Sequence, residues 1–326
     1  MSTAKRLMSV FEGSQKGHGQ TTVGRIGRNG KADAKSFVIR GSLTDDIVQG
    51  HIDGTQGIGA IPIKSGDVCK FGALDIDVYD LDHKALNKKI HQLKLPLHHC
   101  RSKSGGAHLF LFLKDWEPAA LVREILSEMA SAIGFSGCEI FPKQDTIIED
   151  RGDLGNFINL PYFNAEETMR YCFDKKCEAM DLDTFLTSVE KTKVSMAELN
   201  EMSFAGDRKH FGDGAYCLEL LSSLGKVTEN RNIFLFAVGV YCRKKWTDDW
   251  KKHHEEYNRL LCQPPLPASE VMQLQKSLEK KDYFYQCDIC PLKDHCNKEI
   301  CKTRKYGIGN DGADTPKVDA LTIMQS

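Results

Sequence analysis

The sequence has no run approaching the ~18 apolar residues that a membrane-spanning helix needs, so no span is expected. Its first residues, MSTAKRLMSVFEGSQKG, carry neither a long apolar core nor a cleavage pattern, which argues against export. Net charge is almost absent: 44 Lys and Arg stand against 45 Asp and Glu, a formal -1. Global charge therefore cannot drive nucleic-acid binding, and any such surface must be a local basic patch. No internal repeat is present, which excludes a repeat array. A disulfide framework is also missing. Of twelve cysteines, eight are scattered singly: Cys69, Cys100, Cys138, Cys172, Cys177, Cys217, Cys242 and Cys262. These read as reduced, mostly buried thiols in a reducing cytosol.

What is present describes a soluble globular chain of 326 residues, 41% hydrophobic and 27% charged, long enough for about two domains. Residues 1–35 are rich in Gly, Lys, Ser and Thr and read as a loose leading segment with one hairpin, including a basic stretch from Arg25 to Lys35. Residues 36–40, 57–63, 71–77, 97–101, 107–113 and 138–141 read as strands. Thr44 and Asp82 are N-cap candidates, and residues 118–133 form an amphipathic helix behind a Pro. This order indicates an α+β domain with a mainly antiparallel sheet. After Gly206 the pattern turns helical, with Thr247 and Ser269 as further cap candidates. The tail, 310–326, is polar and aperiodic and reads as flexible.

Three features suggest one active site. The first is Phe71-Gly-Ala-Leu-Asp-Ile-Asp77, whose alternation puts Asp75 and Asp77 on one face of a strand. Two neighbouring carboxylates repel unless a cation lies between them, and Mg²⁺ or Mn²⁺ prefers oxygen ligands. The second is Lys103-Ser104-Gly105-Gly106-Ala107-His108. A Gly-rich turn lets backbone N–H groups face a phosphate, and Lys103 and His108 can donate to the same oxygens. The third is Glu139, with Lys143 and Gln144 beyond it; a third carboxylate would complete a two-metal site for in-line displacement.

This set resembles the archaeo-eukaryotic primase superfamily, and FPKQD with GNFINLPYF (155–163) resembles its phage- and plasmid-type primase–polymerases. The family's first motif, an apolar strand ending in two alternating aspartates, is matched by Leu74-Asp75-Ile76-Asp77. Its second, a small residue two before a His, is matched by Gly106-Ala107-His108. Its third, an acidic residue with apolar flanks, is matched by Glu139. The resemblance covers roughly residues 10–165 and implies an RRM-like palm. It implies that Asp75, Asp77 and Glu139 bind the catalytic metals and that His108 contacts nucleotide phosphates. Lys103, Ser104, Gly106, Lys143 and Asn159 are further nucleotide-contact candidates. Many members have Ser where this chain has Gly106, so the hydroxyl would come from Ser104. Asp145 competes with Glu139 for the third carboxylate.

The helical part is similar to the C-terminal module of phage and plasmid primases, through Asn230-Arg231-Asn232 and Pro264-Pro265-Leu266. Beyond it, Cys287, Cys290, Cys296 and Cys301, the first two at Cys-x₂-Cys spacing, suit a tetrahedral Zn²⁺ knuckle, favoured over an iron–sulfur cluster because short-range Cys₄ knuckles are commonly structural zinc; His295 could replace one cysteine. Residues 280–305 carry seven Lys and Arg against four acids, a local +3. Four segments are thus expected: a catalytic domain at 1–205, a helical domain at 206–285, a Cys₄ knuckle at 286–309 and a tail. The expected activity is primer synthesis on single-stranded DNA from NTP or dNTP, in the cytosol, for a phage or mobile element, with a replicative helicase as candidate partner. A non-catalytic replication accessory protein remains the alternative. A rolling-circle endonuclease is disfavoured, because HLFLFL offers one His and not a His-x-His pair.

Overall fold

The computed structural model describes residues 1–26, 32–202 and 210–309, so the expected flexible tail and part of the basic stretch from Arg25 lie outside the described residues. The chain divides into two units, Met1–Met129 with Cys138–Met202, and Ala130–Gly137 with Ser203–Ser326. Among the described residues no helix is long and apolar enough to cross a membrane.

The first part of the chain runs α1 (Thr3–Val10), β1 (Gly17–Ile26), β2 (Ala32–Arg40), α2 (Asp45–Ile52), β3 (Gly57–Ala60) and β4 (Val68–Ile76). It continues with α3 (His83–Gln92), β5 (Leu97–Arg101), β6 (Ala107–Pro118), α4 (Ala119–Ile133), β7 (Glu139–Phe141) and β8 (Ile158–Asn159). Helices α5 (Ala165–Thr168), α6 (Leu182–Thr192) and α7 (Met196–Asn200) follow. The strands form two four-stranded sheets, ordered β2-β1-β3-β8 and β5-β6-β4-β7, and every ladder is antiparallel. The α+β class holds, with two sheets.

One aromatic core fills this unit. Composition suggests a loose N-terminus, but residues 3–10 are helical and capped, with Ser2 accepting from the Lys5 N–H. The reason is Phe11, 2% exposed, whose ring meets Phe71, Phe110 and Phe112 edge-on at 5.4, 5.0 and 5.2 Å. Edge-to-face geometry adds to the gain from burying each ring. The helix is thus held by tertiary burial that local periodicity does not reveal.

His51 fastens three segments of the same unit. Its Nε2–H donates to the Pro161 carbonyl at 2.9 Å, and its Nδ1 accepts from the Ile58 N–H at 3.1 Å. Burial pushes its pKa down to about 4, so the ring is neutral. Cys100 and Cys172, expected as free thiols, are joined in a disulfide. An isolated antiparallel pairing sets their Cα atoms 3.8 Å apart.

In the second unit, α8 (Tyr216–Ser223), α9 (Arg231–Lys245), α10 (Trp250–Leu261), α11 (Ala268–Lys280) and α12 (Lys298–Lys302) form a helical assembly. Two expected caps are corrected. Helix α10 begins only at Trp250, after Asp249, so Thr247 lies in the preceding turn. Helix α11 begins at Ala268, because the Pro267 carbonyl accepts from the Glu270 and Val271 N–H groups, which leaves Ser269 inside the helix.

Two outcomes are expected. Phe11→Ala should cost about 3–5 kcal/mol in urea unfolding, the range for deleting a buried ring; a loss under ~1 kcal/mol would show that the N-terminus is not core. For His51, the folded pKa lies below the unfolded value, so the unfolded chain takes the proton first. Stability should therefore fall as pH drops from about 6.5 towards 4, at ~1.4 kcal/mol per unit from this group. The slope should be shallower in His51→Gln; an unchanged slope would remove His51 as a cause.

Candidate active site

Strand β4 sits between β6 and β7, and the register of both ladders builds the site. Phe71 opposes Phe112, Ala73 opposes Phe110 and Phe141, and Asp75 opposes His108 and Glu139. Directly opposed residues project to the same face. That face begins as the aromatic core and ends as one polar row, Glu139–Asp75–His108. The opposite face is apolar: Leu74 pairs with Leu109 and Ile140, and Gly72 lies under Val122 and Leu126 of α4. The row opens outward, with His108, Asp75 and Glu139 side chains 12%, 27% and 60% exposed.

His108 Nε2 stands 3.4 Å from Asp75 Oδ1, and Lys143 Nζ is 2.8 Å from Glu139 Oε2. Asp145, the rival third carboxylate, is turned to Arg123 at 2.6 Å. The Cys138 thiol, beside the row, is pushed up to about 12 by burial first and then by Asp75 and Glu139.

Asp77 follows one residue after the end of β4 and is exposed. It is met by the turn of the β5–β6 hairpin, whose Ser104 hydroxyl donates to Asp77 Oδ1 at 3.0 Å. The turn is closed by the Ser102 N–H on the Gly106 carbonyl at 2.9 Å, with Gly105 at φ +90°. Gly106 has no room for a side chain, since a Cβ there would strike the Ile76 carbonyl. This accounts for the departure from the family's Ser: the close approach to β4 requires Gly, and the hydroxyl is supplied two residues earlier.

Other supports were not legible in the sequence. His83 braces the turn, its Nε2–H donating to the Gly105 carbonyl at 2.9 Å and its Nδ1 lying 3.0 Å from His99 Nε2. Burial pushes His99 down to about 3 and also lowers His83, so this pair is neutral. Arg170, stacked 4.8 Å over the Phe163 ring, lies near enough to Lys103 to lower its pKa, after burial as the larger cause. No carboxylate among the described residues offsets that pair of cations. Only an anion-binding role, read after the fold is known, gives Arg170 a signal.

The structure does not bring every expected residue to the row. Asn159 lies on β8 of the other sheet, where Thr21 Oγ1 donates to its Oδ1 at 3.0 Å. Among the described residues no three His, Cys, Asp or Glu side chains stand close enough together to hold one metal ion. The local reason is that Glu139 is engaged by Lys143 and Asp77 by Ser104. The donors are nonetheless hard oxygens held by neighbouring strands, and Gln144 Oε1 next to Lys143 is buried without a hydrogen-bond partner. Such a set fits Mg²⁺ or Mn²⁺. Of the C-terminal cysteines, Cys287 and Cys296 share a hydrogen bond and Cys301 is buried, while Cys290 is exposed beside Asp294. His295 is buried with Nδ1 2.7 Å from the Ser131 carbonyl.

Two antiparallel sheets, one with an inner strand that carries Asp75 and runs out just before Asp77, make up an α+β domain of primase type. The chain belongs to the archaeo-eukaryotic primase family: the model described as "TOTE conflict system, Archaeo-Eukaryotic Primase domain" matches residues 27–201, more than half of the 326. Among solved structures, the crystal structure of primase RepB' is similar at 10% identity and a TM-score of 0.30, over 86% of each chain. No curated protein sequence matches the chain.

Gly106→Ser tests the hairpin geometry. It should destabilise the fold by about 1–3 kcal/mol through overpacking against Ile76, read by thermal or urea unfolding, whereas Ser104→Ala should leave stability within ~0.5 kcal/mol. A stable Gly106→Ser protein would refute the close approach.

Proposed function

We propose that this chain is a template-directed nucleotidyltransferase, a DNA primase or primase–polymerase that begins and extends strands on single-stranded DNA. The observation that supports it most is the polar row at the end of an otherwise aromatic strand face. Like charges directly opposed on a sheet are destabilising, and a fold that keeps Asp75 beside Glu139 has a use for them.

The roles follow from the geometry. Asp75, Asp77 and Glu139 would hold Mg²⁺ or Mn²⁺, which when bound supplies the positive charge an in-line attack on a triphosphate requires. His108, the least exposed of the row, donates from its ring to a phosphate oxygen and keeps Asp75 oriented. The hairpin turn presents backbone N–H groups, and its Ser104 hydroxyl fixes Asp77. Lys103 and Arg170, cations with no acidic partner among the described residues, suit the β- and γ-phosphates. With Glu139 given to a cation, Lys143, now paired with it, would be free for the leaving pyrophosphate. Single-stranded DNA and a nucleoside triphosphate are the partners this chemistry requires.

The test is primer synthesis on a single-stranded DNA template with labelled nucleotides and Mg²⁺ or Mn²⁺. Wild type should make oligonucleotides and Asp75→Ala/Asp77→Ala should make none above background. His108→Ala should lose roughly 10²–10³ in turnover, the cost of removing one preorganised donor. Lys103→Ala should act mainly through nucleotide KM. A wild-type protein that makes no product, or a double variant that still does, would return the chain to a binding role in replication.

A further inference from the structure

The four C-terminal cysteines are adjacent in sequence but do not share one environment. Cys290 is exposed, and the charged groups that act on it are Asp294 and Lys293, both from its own segment. No other cysteine is among them. Cys287, by contrast, hydrogen-bonds with Cys296 and lies in electrostatic range of Cys217, Cys296 and Cys301. Cys217 in turn lies in range of Cys296 and Cys301. Cys217 comes from the first turn of α8, seventy residues before Cys287.

The backbone explains the meeting. The Tyr306 N–H donates to the Asp213 carbonyl at 2.7 Å, and the Tyr285 hydroxyl donates to the Tyr306 carbonyl at 2.7 Å. Arg304 donates to the Phe211 and Gly214 carbonyls at 3.2 and 3.4 Å and pairs with the buried Glu219 carboxylate. These bonds clamp the start of α8 onto the segment that carries Cys287, Cys296 and Cys301. Cys217 and Cys301 are each 4% exposed, and the Ile308 N–H points at Cys301 Sγ at 3.4 Å. Tyr285 and Leu292, 6% and 0% exposed, belong to the same buried region.

We propose that Cys217, Cys287, Cys296 and Cys301 form a four-thiolate site for a soft metal centre, and that Cys290 stands outside it. Four thiolates are the ligand set both of structural zinc and of an iron–sulfur cluster. The preference for zinc rests on the four cysteines forming one short-range knuckle, and that support goes when Cys290 is exchanged for the distant Cys217. Because no three such side chains stand within reach of one ion among the described residues, taking zinc needs the thiols to rotate inward.

The full-length chain, purified without oxygen, is analysed for zinc, iron and acid-labile sulfide and for a visible sulfur-to-iron charge-transfer band. Wild type and Cys290→Ser should carry the same centre in equal amount, and Cys217→Ser should lose it. Zinc alone identifies a zinc site; iron with sulfide identifies a cluster. Loss of metal in Cys290→Ser, full retention in Cys217→Ser, or a wild-type protein without zinc or iron would each overturn the proposal. Should Cys217→Ser not fold, the Cys290→Ser arm still decides, together with alkylation of the loaded wild type. Iodoacetamide should modify Cys290 with no release of metal; release on that modification would show that Cys290 is a ligand.

Discussion

The double pairing of β4 is the constraint on which the site depends. With β6 on one side and β7 on the other, Asp75 takes His108 and Glu139 as its ladder partners. What fixes this register is the aromatic face next to it, where Phe71, Phe110, Phe112 and Phe141 are buried around Phe11. A slip by one residue would turn that whole set to the wrong side. The same slip would carry the carboxylates to the face covered by Val122 and Leu126. Core specificity and site specificity are therefore one requirement here.

The row is electrostatically uncomfortable as it stands. Asp75 and Glu139 oppose each other, and relief comes from a histidine at 3.4 Å and a lysine at 2.8 Å. Both contacts are part-exposed, and a surface pair such as Lys143–Glu139 contributes little. The two carboxylates are better suited to a bound cation than to these side chains. Steric economy keeps the second aspartate near: because Gly106 lies against the Ile76 carbonyl, the hairpin turn comes close enough for Ser104 to reach Asp77.

The strand–turn–strand at 97–113 was legible because period-two apolar runs flank a Gly-Gly turn, and β5 spans Leu97–Arg101 as the pattern predicts. The amphipathic helix behind Pro118 was legible for the same kind of reason. In the other sheet β2 and β3 fall on the expected strands at 36–40 and 57–63, whereas β8, two residues long, is too short to carry a period. Helix α1 was not legible, because its anchor Phe11 lies outside the helix and acts only through rings sixty or more residues away. Thr247 and Ser269 look like caps by type, yet capping depends on where the chain turns, and Asp249 and Pro267 set those turns. For the candidate site, motif spacing singled out Asp75, His108 and Glu139, which the ladders bring into one row, and Asp77 just beyond it. It did not find His83 or Arg170, whose positions come from the hairpin and from the segment after Phe163.

The cysteines show the same limit from the other direction. A Cys-x₂-Cys pair invites a shared metal because two thiols three residues apart can always meet in an unfolded chain. In the folded chain the choice falls to whichever thiols the backbone points inward. Bonds from Tyr306 and Arg304 to residues 211–214 bring in Cys217, a residue that is unremarked in the sequence, while the turn at Cys290 faces Asp294 and water. Cys217 and Cys301, buried without a metal, would have weak hydrogen bonds at best. The proposed metal centre would turn the same residues into a staple that joins α8 to the end of the domain, a task the Tyr306 and Arg304 hydrogen bonds already begin.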